Sequence, residues 1–502
     1  MAGKLGSQKV LSSNLGRLIF VDVVTLRILS DLINQTLSTA ACLLLHAMYL
    51  YELPTTGAIS FSDFCIDQST DKIYSTRILE ATEARANVRA ALKASKRTED
   101  GTKDYLSLTK KLEDYIPLIR GLINCVAHDD IGLKSEPLFS WRTTLSNTVL
   151  NNSPRLSVPG LYADLAFTLL TYAFTLSNLG HAIVQSVGPY ERDRTIKKEQ
   201  RERKDEQINV AFGFLCKASG VFSYIAEKLL PEWEVSRAGG LSGFTRPPDL
   251  KQEVNSALVK LSLADAQTLA IRKYLSKAAY DSNISPGPPL PASHPSPNLI
   301  AKLQLECESL YASAKSLANA SGGSDISSEL RKYLTDRITF HAALAHKWLG
   351  VDAGENGQLD QAGEAVGFLA WAKKDLEKLK DNNMLHFGKG EREKAKKTEI
   401  AEELESTTTY YKYYKKANDS LHFQPVPTQA ELQSRISTGR AAVEIRPYSP
   451  PAPTFGPGSV EDLRRQAQLL ELKDQESPES PPPPSTATSP PTGNYAGAGS
   501  YF

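Results

Sequence analysis

The chain has almost no net charge. Against 57 acidic side chains stand 58 basic ones, leaving +1 over 502 residues. A nucleic-acid or anionic-membrane binder concentrates a basic excess on one face, so those classes would need a local patch. The densest charged run, Glu191 to Glu206, interleaves seven basic and six acidic residues, whose signs cancel at a distance, and reads as a solvated helix start. Cysteine is scarce and scattered: Cys42, Cys65, Cys125, Cys216 and Cys307 include no Cys-x-x-Cys pair. That excludes a disulfide framework and a zinc cluster, and isolated cysteines in apolar helical text fit a reducing, cytosolic compartment.

Long apolar runs are almost missing too. Leu18 to Tyr51 is interrupted by Asp22, Arg27 and Asp31. Leu165 to Tyr190 carries no charge but holds Thr168, Thr171, Thr175, Ser177, Asn178, His181 and Gln185, the pattern of a helix buried on all sides rather than one spanning a bilayer.

Chemistry-bearing motifs are absent as well. There is no dinucleotide-binding glycine fingerprint, phosphate loop or nucleophile elbow. His341 and His346 are five residues apart, ~140° around a helix, so they do not form a two-ligand face. Gly239-Gly-Leu-Ser-Gly243 reads as a plain loop, and Asp129-Asp130 as solvated carboxylates. No catalytic, cofactor-binding or metal-ligating residue is expected.

What is present is helix. Apolar residues recur at three- and four-residue spacing in Thr76 to Lys96 (Ile78, Ala81, Ala84, Val88, Leu92) and in Tyr105 to Cys125 (Leu108, Leu112, Tyr115, Leu118, Leu122). Longer helices are predicted over Tyr162 to Val187, Gln207 to Leu230, Leu250 to Tyr280, Asn298 to Asn319, Ser327 to Leu349, Gln361 to Leu379 and Glu391 to Lys416. In the last of these, Tyr410 and Tyr414 are expected to pack while the lysines reach solvent. Alternating β-type text is sparse, so the fold is read as all-α, its alanine- and aromatic-rich faces suited to stacked helix pairs without a strict repeat.

Prolines punctuate this pattern twice. Six of them lie between Pro286 and Pro297, a semi-rigid loop between two central helices. Fourteen of the 29 prolines lie from Pro425 onward, and residues 431–502 are expected to be a disordered Pro/Ser-rich tail. One short helix is predicted within it at 459–474, with Ser459 and Asp462 in capping-box spacing and Leu463, Leu469 and Leu470 as a narrow stripe. It reads either as a docking motif or as a transient surface helix. Ser449, Ser477, Ser480 and Ser489, each followed by proline, are candidates for proline-directed phosphorylation.

Several stretches together resemble the Bro-one domain family: Leu53-Pro-Thr-Thr, Thr171-Tyr-Ala-Phe-Thr-Leu-Ser-Asn-Leu, Tyr190-Glu-Arg-Asp-Arg, Phe214-Leu-Cys-Lys-Ala-Ser-Gly-Val-Phe, Leu263-Ala-Asp-Ala-Gln-Thr-Leu-Ala, Gly363-Glu-Ala-Val-Gly-Phe-Leu, and the exit Asn418-Asp-Ser-Leu-His-Phe-Gln-Pro-Val-Pro. The resemblance runs from about Leu53 to Pro427, closest to the family's short fungal members that act in ambient-pH response. It implies a banana-shaped helical domain over 53–430 with a tetratricopeptide-like centre, preceded by an extension of residues 1–52. The implied function is a non-enzymatic scaffold, without cofactors or nucleic acid. It would bind the C-terminal amphipathic helix of a core ESCRT-III subunit and link it to a plasma-membrane pH-sensing complex that leads to proteolytic activation of a transcription factor. A general endosomal-sorting adaptor is the alternative on the same fold. The implied location is cytoplasmic, with recruitment to plasma-membrane or endosomal sites through partners. Leu299-Ile-Ala-Lys-Leu303 is similar to the family's Ile-Ile-Ala-Lys-Leu, which places Leu299 and Leu303 in the implied partner patch. Its third, aromatic position falls at Ala270, between Leu269 and Ile271.

Overall fold

The computed structural model describes residues 48–98, 103–146, 155–193, 195–236, 245–282, 287–320, 322, 325–384 and 391–475. Within these, nine helices follow one another: α1 Ser75–Arg97, α2 Tyr105–Ala127, α3 Leu161–Val187, α4 Lys198–Ser236, α5 Gln252–Ser282, α6 Pro297–Ala320, α7 Ser328–Glu355, α8 Ala362–Met384 and α9 Glu391–Ala417. Each packs on the helix before and after it, so the helices form a serial array with a continuous core. The periodicity placed every one of these helices. It did not show two small antiparallel ladders: β1 Cys65–Asp67 with β2 Ile131–Leu133, and β3 Leu138–Arg142 with β4 Arg155–Pro159. The second sends Phe139 and Trp141 into the core.

Local chemistry explains the elements. Asp104 caps α2, accepting from the Ser107 N–H at 2.9 Å. The charge-free text becomes α3, 94% buried over its most apolar window, which accounts for its hydropathy without a bilayer. Its threonines return hydrogen bonds to carbonyls one turn back, Thr168 to Asp164 at 2.7 Å, Thr171 to Phe167 at 2.6 Å and Thr175 to Thr171 at 2.8 Å, so these three hydroxyls are satisfied within the helix. Asp164 at the start of α3 is the hub of a buried network. It accepts from Arg85 Nε at 3.0 Å, Tyr115 hydroxyl at 2.6 Å and Trp141 Nε1 at 2.7 Å, tying α1, α2 and β3 to α3. Close helix approach is set at Gly350, where a Cβ would lie 3.0 Å from the Ala365 carbonyl oxygen of α8.

Both expected domain boundaries move. At the N-terminal side, Met48, Tyr49 and Tyr51 are buried, so the domain begins before Leu53. The rest of the expected extension, residues 1–47, lies outside the described residues. At the C-terminal side, α9 ends in a turn pinned by Asn418, whose side chain bonds the Gln424 N–H at 3.0 Å and carbonyl at 2.9 Å. The chain then re-enters the domain instead of becoming a disordered tail at 431. A short helix, α10 Gln429–Gln433, buries Leu432. Residues 434–459 then run back across α6, α5, α4 and α2 as an extended strap.

Few contacts hold this strap. Arg440 N–H bonds the Lys302 carbonyl at 2.9 Å, Arg446 N–H the Cys216 carbonyl at 3.3 Å and Thr454 N–H the Pro117 carbonyl at 3.3 Å. Val443 and Phe455 are its buried plugs. Prolines that read as disorder here preset φ and reduce the entropy lost on ordering, so a segment of low apolar content still docks. The predicted capped helix follows as α11 Val460–Gln475. Ser459 Oγ accepts from the Asp462 N–H at 3.1 Å, and Leu463 is exposed. The tail beyond 475, with Ser477, Ser480 and Ser489, lies outside the described residues.

Candidate partner-binding surface

The five residues implied as a partner patch all lie where α5 and α6 pair, but they do not share one environment. Leu269, Ile271 and Leu303 are buried in the core, Leu303 at 2% exposure, whereas Ala270 and Leu299 are half-buried. Leu303 therefore supports the α5–α6 packing, which corrects its reading as a surface anchor. The one-turn spacing of Leu299 and Leu303 is present, but α6 sits between α5 and α7, and a small rotation takes the second leucine inside.

The sequence reading misses two features of this surface. Tyr274, one turn along α5 from Ala270, is 53% exposed. It offers an aromatic ring at a neighbouring position on the helix where the implied patch has alanine; an i,i+4 inspection from Ala270 would have found it. The strap is the other. Gln267 donates through Nε2 to the Leu303 carbonyl at 3.2 Å and the Arg440 carbonyl at 2.8 Å, and its Oε1 accepts from the Ala442 N–H at 2.8 Å. One buried amide thus joins α5, α6 and the strap. The apolar surface is left beside the strap as Ala270, Tyr274 and Leu299.

Beneath it the helices are locked together. Asp265 on α5 accepts from Tyr311 of α6 at 2.5 Å and Tyr333 of α7 at 2.8 Å. Burial pushes its carboxyl up to about 6, against the lowering effect of those two hydroxyls. His341 Nδ1 meets Gln304 Oε1 at 2.6 Å, a bond between α7 and α6 inside the core. The described part of the proline-rich loop packs toward α7 and α9: His294 lies on Trp348 of α7 at 4.8 Å, and Gly287 faces Thr409 of α9.

A groove of about 960 Å³ lies between α6, α7, α8, the last residue of α10 and strap residues 436–439. Two of its carboxylates are paired, Asp336 with Lys396 and Asp375 with Lys378, while burial raises the carboxyl of Glu308, which also lines it. His346 in it stacks on Trp371 at 3.9 Å, and burial lowers its imidazole to about 4. Among the described residues no group of three His, Cys, Asp or Glu side chains could hold a metal ion. The buried thiols of Cys65, Cys125 and Cys307 are each pushed up to about 12 by burial, which suits packing rather than nucleophilic attack.

A serial all-α array with two small ladders near its start and a returning C-terminal segment defines the class: the sequence matches the BRO1-like domain over residues 66–463. Across 90% of this chain it is 33% identical to the pH-response regulator protein palC of Cryptococcus neoformans var. neoformans serotype D (strain B-3501A), covering 99% of that protein. Identity to the palC of Emericella nidulans is 25%, over 83% of this chain and 90% of the relative. The chain therefore belongs to the BRO1-like domain family and, within it, to the palC group of pH-response regulators. Solved structures with similar folds include the ALIX BRO1 CHMP4C complex, with a TM-score of 0.53 at 16% identity over 80% of this chain and 96% of that one. A second, described as the structural basis for endosomal targeting by the Bro1 domain, gives a TM-score of 0.52 at 15% identity over 80% of this chain and 93% of that one.

Proposed function

We propose that this chain is a non-enzymatic adaptor of fungal ambient-pH signalling that receives the C-terminal amphipathic helix of a core ESCRT-III subunit on the α5–α6 surface. The observation that carries the proposal is the half-buried pair Ala270 and Leu299 with the exposed ring of Tyr274, an apolar strip between the strap and the proline-rich loop. An amphipathic helix laid on it would bury the ring and the leucine, which is how helix-in-groove recognition gains its energy. The relatives' description as pH-response regulators and the CHMP4C complex of a similar fold support the pathway and the partner class.

In this reading the adaptor works in the cytoplasm. It is brought to membrane sites by its partners and joins ESCRT-III to a plasma-membrane pH-sensing complex, a step toward proteolytic activation of a transcription factor. A general endosomal-sorting adaptor is the second reading, favoured by the endosomal-targeting fold neighbour. Titration of the full chain with an ESCRT-III C-terminal helix peptide tests the binding step. Binding that survives loss of both Leu299 and Tyr274 would refute the site, and no binding by the wild-type chain would refute the partner.

A further inference from the structure

Between the strap's plugs Val443 and Pro453, residues 444–452 form an arch of which every residue is exposed except the half-buried Tyr448 and Pro450. The arch is held at three points. Arg446 N–H bonds the Cys216 carbonyl at 3.3 Å. The Tyr448 ring packs against Tyr224 at 5.5 Å and Tyr172 at 6.2 Å. The Arg120 guanidinium of α2 donates to the Pro451 carbonyl. Ser449 in the middle of the arch is exposed and followed by Pro450 and Pro451. An extended, exposed serine with proline directly after it is the form of substrate that a proline-directed protein kinase reads.

The surroundings favour added negative charge. Arg120 is two residues from Ser449 through its bond to Pro451, and Arg446 stands three residues before it and acts on Cys216. Lys217 lies over the Tyr172 ring at 5.2 Å. Of the nearby carboxylates, Glu113 is engaged by the Tyr172 hydroxyl at 2.6 Å and Lys217 at 3.3 Å, and Glu232 lies on the Tyr224 side. A phosphate here would meet guanidinium groups, where charge-assisted hydrogen bonds order a segment.

We propose that Ser449 is a phosphorylation site whose phosphate is received by Arg120, fastening the strap to α2. In the transfer, Ser449 Oγ attacks the γ-phosphorus of a nucleoside triphosphate held by the kinase. A new O–P bond forms as the bond to the bridging oxygen breaks, the nucleoside diphosphate leaves, and the serine proton passes to the kinase's base. Because the strap crosses α5 at Gln267 and α6 at Lys302, fastening it steadies the helix pair that carries the proposed partner surface; the modification itself stands independently of that reading.

The test treats the full chain with a proline-directed kinase and ATP, maps phosphates by mass spectrometry, and follows amide exchange over residues 444–454. Ser477, Ser480 and Ser489 serve as internal positive controls, and Ser449→Ala as the negative one. The expected result is phosphate on Ser449 and exchange about tenfold slower across the arch, the scale of one charge-assisted hydrogen bond. Arg120→Ala should keep the phosphate and lose the slowing. Phosphate confined to the three tail serines, or phosphate on Ser449 with no Arg120-dependent slowing, overturns the proposal.

Discussion

The Tyr51 ring stacks on Phe174 at 4.4 Å with an interplanar angle of 10°. Asn178, one turn along α3, grips the same residue's backbone, accepting from its N–H at 2.9 Å and donating to its carbonyl at 2.8 Å. The stretch ahead of Leu53 is therefore wedged against the most buried helix of the domain. A chain starting at Met48 should keep its thermal transition, whereas one starting at Leu53 should melt several degrees lower. Tyr51→Ala should cost about 3–5 kcal/mol, as truncation of a buried aromatic does, measured by denaturant unfolding. Equal stability of the two chains would contradict this.

Leu303 and Leu299 should separate in one experiment. Leu303→Asp places a carboxylate at a position 2% exposed, adding the burial of a charge to the loss of a core leucine, and should leave the domain largely unfolded by circular dichroism. Leu299→Asp, at a half-buried position, should fold and weaken ESCRT-III helix binding by about thirtyfold, since loss of a central anchor costs about 2 kcal/mol. Tyr274→Ala should weaken it in the same direction without moving the melting temperature.

Gly220 offers a way to lift the strap without touching the core. A Cβ there would lie 1.9 Å from the Arg446 carbonyl oxygen, a backbone atom that only moves if the strap moves. Gly220→Val should preserve helicity while making residues 440–455 sensitive to limited proteolysis. Removing residues 431–502 should likewise lower the melting temperature, because Val443 and Phe455 are plugs of the core.

The pH dependence of stability should contain two opposed contributions. Burial raises Asp265 from 3.8 to about 6, so between those values the folded state holds a proton that the unfolded chain has released. That contribution is complete below pH 3.8 and is lost as pH rises through about 6, on the order of 3 kcal/mol. Burial lowers His346 from 6.5 to about 4; its contribution is present above pH 6.5 and is lost as pH falls through about 4. Asp265→Asn should steepen the loss of stability on acidification and His346→Phe should flatten it, read as unfolding midpoints between pH 4 and 7.

Helix content, helix order and the family were legible in the sequence because they depend on local periodicity and on residue strings that survive in order. The buried nature of α3 was legible for the same reason: 26 charge-free residues studded with Thr, Ser and Asn can only be satisfied by back-bonding and neighbouring helices. Only the tertiary structure decided which of Leu299 and Leu303 faces solvent, since a helix wedged between two neighbours fixes its own rotation by packing on both. It alone also decided the fate of residues 434–459. Their docking rests on isolated backbone bonds and a few plugs such as Phe455 against Gly121, contacts between positions well over 100 residues apart that leave no periodic trace in the text.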